Sequence, residues 1–315
     1  MNEGNISLLF KKGDRADIRR YRPITLLNTD SKVLTAVLAR RLATALDPII
    51  DPAQNGFLPR RLITDNIHLV NLVQAAIEDY EDEGGAMLFL DQEKAFDRVS
   101  WQALNEAVAA LGFGPTIRGW VGTLYNPAHP LRRTIRCNGT LARAFHVHSG
   151  VAQGDAASPI LFIIIMEALS RMVQKEEGLP GITLNNHRYK ISLYADDTTI
   201  FLRDPHREVP ILWALLRRFE RATGMKINDT KTEGLPMGKY RRETSHQEHP
   251  QVDTIGWLKE GEYLVGLGAP VGYKFDEQAF WVKKYKKFKA RLARYAHTAH
   301  LIPTENRIPI ISTMG

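Results

Sequence analysis

Ile191-Ser192-Leu193-Tyr194-Ala195-Asp196-Asp197-Thr198-Thr199-Ile200-Phe201-Leu202 is two β-rich runs interrupted by Ala195-Asp196-Asp197. Branched and aromatic residues favour extended backbone and aspartate favours turns, so the stretch reads as a hairpin with two carboxylates at its apex. An Asp-Asp pair in a hairpin is most often there for the turn alone. A third acid changes its weight. Ala86 to Leu90 is almost purely apolar and runs into Asp91, which reads as a buried strand delivering a carboxylate at its end. If the two strands are neighbours in one sheet, their ends bring the carboxylates together, and repulsion makes that costly without a cation. Hard oxygen ligands that leave room for substrate phosphates suit magnesium, with manganese as a substitute. Two such ions about 4 Å apart can serve an attacking 3′-oxygen and a leaving pyrophosphate. Asp91, Asp196 and Asp197 are therefore the candidate metal ligands and catalytic acids, and the chemistry they suit is nucleotidyl transfer.

Outward from these strands the order of elements is α+β, with no internal repeat. Ile6 to Phe10 reads as a short strand reaching a basic turn, Lys11-Lys12-Gly13-Asp14. Ser31 is expected to cap a helix carrying Leu34, Leu38, Leu42 and Ala45, which Pro48 stops. A second helix follows Asp65, with Ile67, Val70, Val73, Ile77 and Tyr80 on one face, and ends in the acidic stretch before Gly84-Gly85. Ser100 caps a helix that ends at Gly112, and alternation around Asn138-Gly139 suggests a hairpin between Arg132 and Ser149. Ser158-Pro159 opens an apolar helix, and Leu212 to Thr223 is an amphipathic one closed by Gly224. Near the end, Trp281, Tyr285, Phe288, Leu292 and Tyr295 make one apolar stripe. Lys283, Lys284, Lys286, Lys287, Lys289, Arg291 and Arg294 fill the other faces: either a solvated surface or a phosphate-binding one.

Of 315 residues, 44% are apolar, which is ordinary for a protein with a real core, and the formal net charge of +7 favours a polyanionic partner. The single cysteine, Cys137, excludes an internal disulfide framework and a cysteine-rich zinc site. The longest apolar run, Ile160 to Met166, is far short of the roughly 20 residues a membrane span needs. The expectation is an intracellular, soluble protein of nucleus or cytoplasm with no membrane partner.

Five blocks stand in order: Arg22-Pro23-Ile24, Gln54-Asn55-Gly56-Phe57, Asp91 with Ala95-Phe96-Asp97, Gln153-Gly154 with Ser158-Pro159, and Tyr194-Ala195-Asp196-Asp197. Together they resemble non-LTR (LINE-type) retrotransposon reverse transcriptases over nearly the whole chain. Any one block is a weak signal; five in order are specific. The resemblance implies a right-hand polymerase fold. Its parts would be fingers over 1–85, palm over 86–111, an insertion over 112–148, palm again over 149–270 and the start of a thumb over 271–315. It implies RNA-directed DNA synthesis with an RNA template, a DNA primer and dNTPs as partners; the oligomeric state stays open.

The resemblance also distributes roles. Phe96 would exclude a ribose 2′-hydroxyl, though on its own it reads as core packing. Gln153 and Gly154 would meet the nucleotide, Lys12 and Arg22 would clamp its phosphates, and Lys231 would act as general acid. Gln54, Gly56, Phe57 and Arg61 would touch template, and Tyr263, Lys283 and Lys287 primer or template. The chain departs from the pattern at Arg60, Ala152 and Ala156-Ala157, and Tyr263-Leu264-Val265-Gly266 has one residue more than the usual primer grip. Two rivals remain: an RNA-dependent RNA polymerase, told apart by ribonucleotide incorporation, and an inactive remnant that binds nucleic acid through its basic helix.

Overall fold

The computed structural model describes residues 3–78, 84–242 and 254–296, and the chain divides into two compact units, Met1–Trp257 and Leu258–Gly315. The first unit runs β1 (Glu3–Phe10), β2 (Tyr21–Leu26), α1 (Thr29–Leu46), α2 (Ile63–Glu78), β3 (Gly84–Leu90), α3 (Ala95–Arg98), α4 (Trp101–Ala110), α5 (Pro115–Leu124), β4 (Leu131–Cys137), β5 (Thr140–Leu141) and β6 (Phe145–Val147). It continues with α6 (Ser158–Lys175), β7 (Ile182–Leu184), β8 (His187–Tyr189), β9 (Ile191–Tyr194), β10 (Asp197–Leu202), α7 (Pro205–Thr223), β11 (Glu233–Gly238), α8 (Lys239–Arg242) and β12 (Gly256–Trp257). The second contains β13 (Tyr263–Gly266), β14 (Ala269–Gly272) and α9 (Glu277–Ala296).

Two sheets organise the first unit. One has the order β2-β1-β4-β5 with β6 also on β4; β1 runs antiparallel to β2 and parallel to β4. The other has the order β12-β11-β3-β10-β9, and its central strand β3 pairs antiparallel with both β10 and β11. A strand paired on both edges and covered on both faces must be apolar throughout, and β3 is, with only Phe89 not fully buried. The position of the acids follows from this: β3 carries Asp91 out of the core, and β9 turns into β10 beside it.

The helix α6 explains where the core sits. Twelve of its residues are buried, from Ser158 and Ile160 round every face to Val173, as expected of a helix that is apolar all round. It shares one cluster with Leu42, Trp101, Leu104, Leu193, Leu212 and Phe219. Fully burying each large side chain of this kind contributes about 2 kcal/mol.

Several ends differ from expectation. The first helix starts at Thr29 after Asn28, and Ser31 lies inside it, buried. Likewise Ser158 is not a cap: Ala157 precedes α6, and the Ser158 hydroxyl meets the Tyr125 hydroxyl at 3.2 Å. In both places burial removed the serine from the solvent edge where it would cap. The expected cap Ser100 does accept from the Ala103 N–H at 3.3 Å. The expected end of the second helix at Tyr80 and beyond lies outside the described residues.

The α7 helix begins at Pro205, well before the expected Leu212, and passes through Pro210. The reason is a second acid in its first turn. Glu208, buried, accepts from the backbone N–H of Asp204 at 2.7 Å and of Arg203 at 3.2 Å. Burial pushes its carboxyl up from 4.5 to about 7. A folded value above the unfolded one means the native state binds more protons. Stability is therefore full below pH 4.5 and is lost as pH rises to about 7. Glu208→Gln keeps the acceptor oxygen without the charge; it is expected to match the wild type at pH 4 and exceed it by about 2 kcal/mol at pH 8 in denaturant titrations.

Candidate active site

The acids meet at one end of the central sheet. Leu90 pairs with Thr198 and Asp197 with Tyr194, so Asp91, one residue past Leu90, emerges beside the strand that Asp197 opens. At the turn, Ala195 takes φ 56, a left-handed conformation that costs a residue with a Cβ roughly 1 kcal/mol. The surroundings hold it there. Gln54 Oε1 accepts from the Ala195 N–H at 3.0 Å and from the Gly56 N–H at 2.8 Å.

The electrostatics are those of crowded anions. Asp197 reaches solvent, yet partial burial first, then the charges of Asp196 and Asp91, push its carboxyl up to about 6, with Lys11 opposing. Asp196 is raised chiefly by burial and also by Asp91, while its own backbone N–H, Lys11 and Arg22 pull it down. Asp91 accepts from Lys231 Nζ at 3.4 Å. Such perturbed groups brought together mark functional sites more often than chance. As a donor set these acids fit magnesium, being hard oxygens whose repulsion Lys11, Arg22 and Lys231 offset only in part. Among the described residues, however, no three His, Cys, Asp or Glu side chains already stand as a group able to enclose an ion.

Lys11, rather than Lys12, is the lysine acting on the acids. Strand alternation accounts for it. Leu9 pairs with Arg22, and the Lys11 N–H continues the ladder by donating to Arg20 O at 2.9 Å. Lys11, two residues past Leu9, therefore shares the face of Arg22, while Lys12 lies beyond the strand, exposed in the turn.

The remaining expected residues fall into two groups. Near the acids, Phe96 stacks on Phe162 with ring centroids 4.6 Å apart and stays half-buried. Gln153 Nε2 donates to Asp97 Oδ1 at 3.2 Å, and its carbonyl accepts from the Thr25 N–H at 2.7 Å. Gly154 adopts φ +105, and a Cβ there would stand 2.9 Å from Thr25 O. The close approach this glycine permits is thus to β2, the strand that carries Arg22.

Turned inward are the residues expected on the template. Gln54 is fully buried. A Cβ on Gly56 would lie 2.5 Å from the Ala195 backbone nitrogen. Arg61 donates to the carbonyls of Asp47, Ile50, Asp51 and Gln54 and to the Asp47 carboxylate. Only Phe57 of that block is exposed, at φ 58. In the second unit, Tyr263 lies in β13 against the rings of Phe275 and Phe280, and Lys283 and Lys287 are exposed on α9.

An antiparallel sheet delivering acids from a strand end and a neighbouring hairpin, opposite a basic hairpin, defines the palm of a template-copying polymerase. The reverse transcriptase (RNA-dependent DNA polymerase) family model matches residues 10–264, and the chain belongs to that family. Its relatives are non-LTR retrotransposon proteins. They include the transposon TX1 149 kDa protein of Xenopus laevis, 31% identical over 282 residues, covering 86% of this chain and 21% of that protein. The retrovirus-related Pol polyprotein of element R2 from Popillia japonica is 28% identical, covering 73% and 31%. The probable RNA-directed DNA polymerase from transposon X-element of Drosophila melanogaster is 27% identical, covering 64% and 21%. The chain thus spans between about a fifth and a third of these relatives.

Among solved structures, telomerase from Candida albicans in complex with a fragment of telomeric RNA superposes with a TM-score of 0.54 at 13% identity. That match covers 86% of this chain and 44% of the other. The corresponding Candida tropicalis complex gives 0.51 at 13%, covering 75% and 41%. These likenesses show the fold, the α+β right-hand polymerase. Among the described residues no helix is long and apolar enough to cross a membrane.

Proposed function

We propose that the chain carries the catalytic core of an RNA-directed DNA polymerase. The 3′-hydroxyl of a DNA primer, paired to an RNA template, loses its proton to solvent and attacks the α-phosphate of a dNTP; the new P–O bond forms as the bond from that phosphorus to the bridging oxygen breaks, and pyrophosphate leaves with that oxygen. The observation that carries this reading is the convergence of Asp91, Asp196 and Asp197, where partial burial and then the neighbouring acids push Asp197 up to about 6, within the field of Lys11 and Arg22. Two magnesium ions held by these acids, or manganese in their place, would supply charge neutralisation at the reacting phosphate and the departing one.

The chain's own groups divide the remaining work. Lys11 and Arg22 bind the triphosphate from the fingers, and Lys12, exposed in the turn, meets solvent or template. Gln153 and Gly154 shape the floor under the nucleotide, and the open edge of Phe96 excludes a 2′-hydroxyl. Lys231 delivers a proton to pyrophosphate. Tyr263, Lys283, Lys287 and Phe57 offer rings and charge to primer and template. In this reading 1–85 is fingers, 86–111 and 149–270 palm, 112–148 an insertion and 271–315 the start of a thumb. The boundary between compact units at Trp257 falls inside the last palm segment.

Primer extension tests the reading. The chain is expected to extend a DNA primer on RNA with dNTPs, to stop on chelation of divalent metal, and to discriminate against ribonucleotides. A second reading, nucleic-acid binding without catalysis, draws on the Asp91–Lys231 pair, which occupies a carboxylate that a metal needs. Salt-dependent primer–template binding with no extension at any magnesium or manganese concentration would establish it instead.

A further inference from the structure

The loop around Gln54 is bonded directly to the acid turn. Residues Ala53 to Asn55 run beside β9 as a short parallel strand: the Leu193 N–H donates to Ala53 O and the Asn55 N–H to Leu193 O, both at 2.8 Å. Gln54 then sends its side-chain oxygen under the turn itself, to the N–H of Ala195, the residue at φ 56 immediately before Asp196. Because both neighbours are N–H donors, the amide can present only its oxygen there.

The other half of the same side chain points to the oxygen as the reason for the residue. Gln54 Nε2 is buried with no hydrogen-bond partner, a cost that a position chosen for packing alone would not carry. Around it everything narrows the freedom of the loop. Gly56 leaves no room for a Cβ against Ala195. Arg61 binds the Gln54 carbonyl at 2.7 Å, the Asp51 N–H donates to buried Glu167 at 2.9 Å, and Asn66 Nδ2 donates to Leu193 O at 3.0 Å.

We propose that Gln54 is a positioning residue for catalysis: its side-chain oxygen locks Ala195 in the left-handed conformation and so aims the Asp196 carboxylate, making the fingers loop a structural part of the acid site. The proposal rests on the polymerase reading of that site. Gln54 touches neither substrate nor metal in this role; it acts through the Ala195 backbone.

The test uses Gln54→Met, similar in length without the amide oxygen, in the full chain. Expected first is at least about tenfold faster amide hydrogen exchange at Ala195, read by NMR, with Thr198 and Ile200 in the β3–β10 ladder unchanged. Expected second is a fall in kcat on the order of 10–100-fold, with KM for dNTP and for primer–template within about twofold, since a small misplacement of a reacting group costs rate rather than binding. Wild-type exchange at Ala195 in a folded Q54M protein overturns the proposal. So does a rise in primer–template KM at unchanged kcat, which would return Gln54 to the template. Should Q54M not fold, Gln54→Glu, which keeps an acceptor oxygen, decides: protection of Ala195 retained supports the proposal, and protection lost overturns it. If the wild type itself extends no primer, the polymerase reading fails, and amide exchange alone still decides whether Gln54 holds the turn.

Discussion

Asp196→Asn is expected to lower primer extension by on the order of 10³-fold or more while leaving the protein folded and no less stable. The loss follows from chemistry: an amide oxygen is a poor ligand for a hard divalent cation beside phosphates. The stability follows from the sign of the pKa shift. Burial, with Asp91 beside it, raises the Asp196 carboxyl above its ordinary 3.8. The native state pays for its ionised form above that value and gains nothing from it. Below the unfolded value both states are protonated and the substitution is neutral. Thermal melts should therefore show equal Tm for the two proteins near pH 3.5 and an equal or higher Tm for the variant at pH 8. Undiminished extension by a preparation free of contaminating polymerase would remove Asp196 from the catalytic set.

Arg61→Met should have the largest effect on stability of any change outside the apolar core. The guanidinium, 15% exposed, holds the carbonyls of Asp47 and Gln54 at 2.7 Å, Asp51 at 2.8 Å and Ile50 at 3.1 Å, with the Asp47 carboxylate at 3.3 Å. It closes the C-terminal end of α1, where carbonyls lack helical partners, and ties that end to the loop carrying Gln54. Methionine fills the space and satisfies none of these acceptors, so the cost is about 4 kcal/mol, or a Tm lower by roughly 10 °C. Lysine, a point charge without the fork, should recover only part of this. If the Arg61→Met variant melted within about 2 °C of the wild type, but showed weaker salt-dependent binding of an RNA–DNA duplex, the template role expected from the block's resemblance would be restored.

Arg61 and Gln54 show why part of the site was hidden in the sequence. A basic residue near a glycine turn reads equally well as a phosphate contact or as a cap for backbone carbonyls, because both are arrays of oxygen acceptors. Which one the fork meets depends on where α1 ends relative to the loop. Lys11 was hidden for a simpler reason: adjacent lysines in a basic turn are equivalent until strand register says which face each occupies, and parity with Arg22 was the signal that could have found it. Glu208 was hidden because the amphipathic pattern was read only from Leu212, whereas the helix starts at Pro205 with the buried carboxylate in its first turn.

The acid set, by contrast, was legible. A strand wholly apolar up to Asp91 and a hairpin with Asp196-Asp197 at its apex bring their acids together if they are neighbours in one sheet, and β3 does pair with β10. The order of such local patterns along the chain reads as α+β, since hydrophobic periodicity and turn preference act within a few residues, and the five ordered blocks carry the resemblance to a right-hand polymerase. The aim of each side chain is not legible in this way. Gln54 and Ala195 are 141 residues apart, and no local preference of either encodes their contact. Only the packing of the Gln54 loop along β9 brings the amide oxygen to the Ala195 N–H.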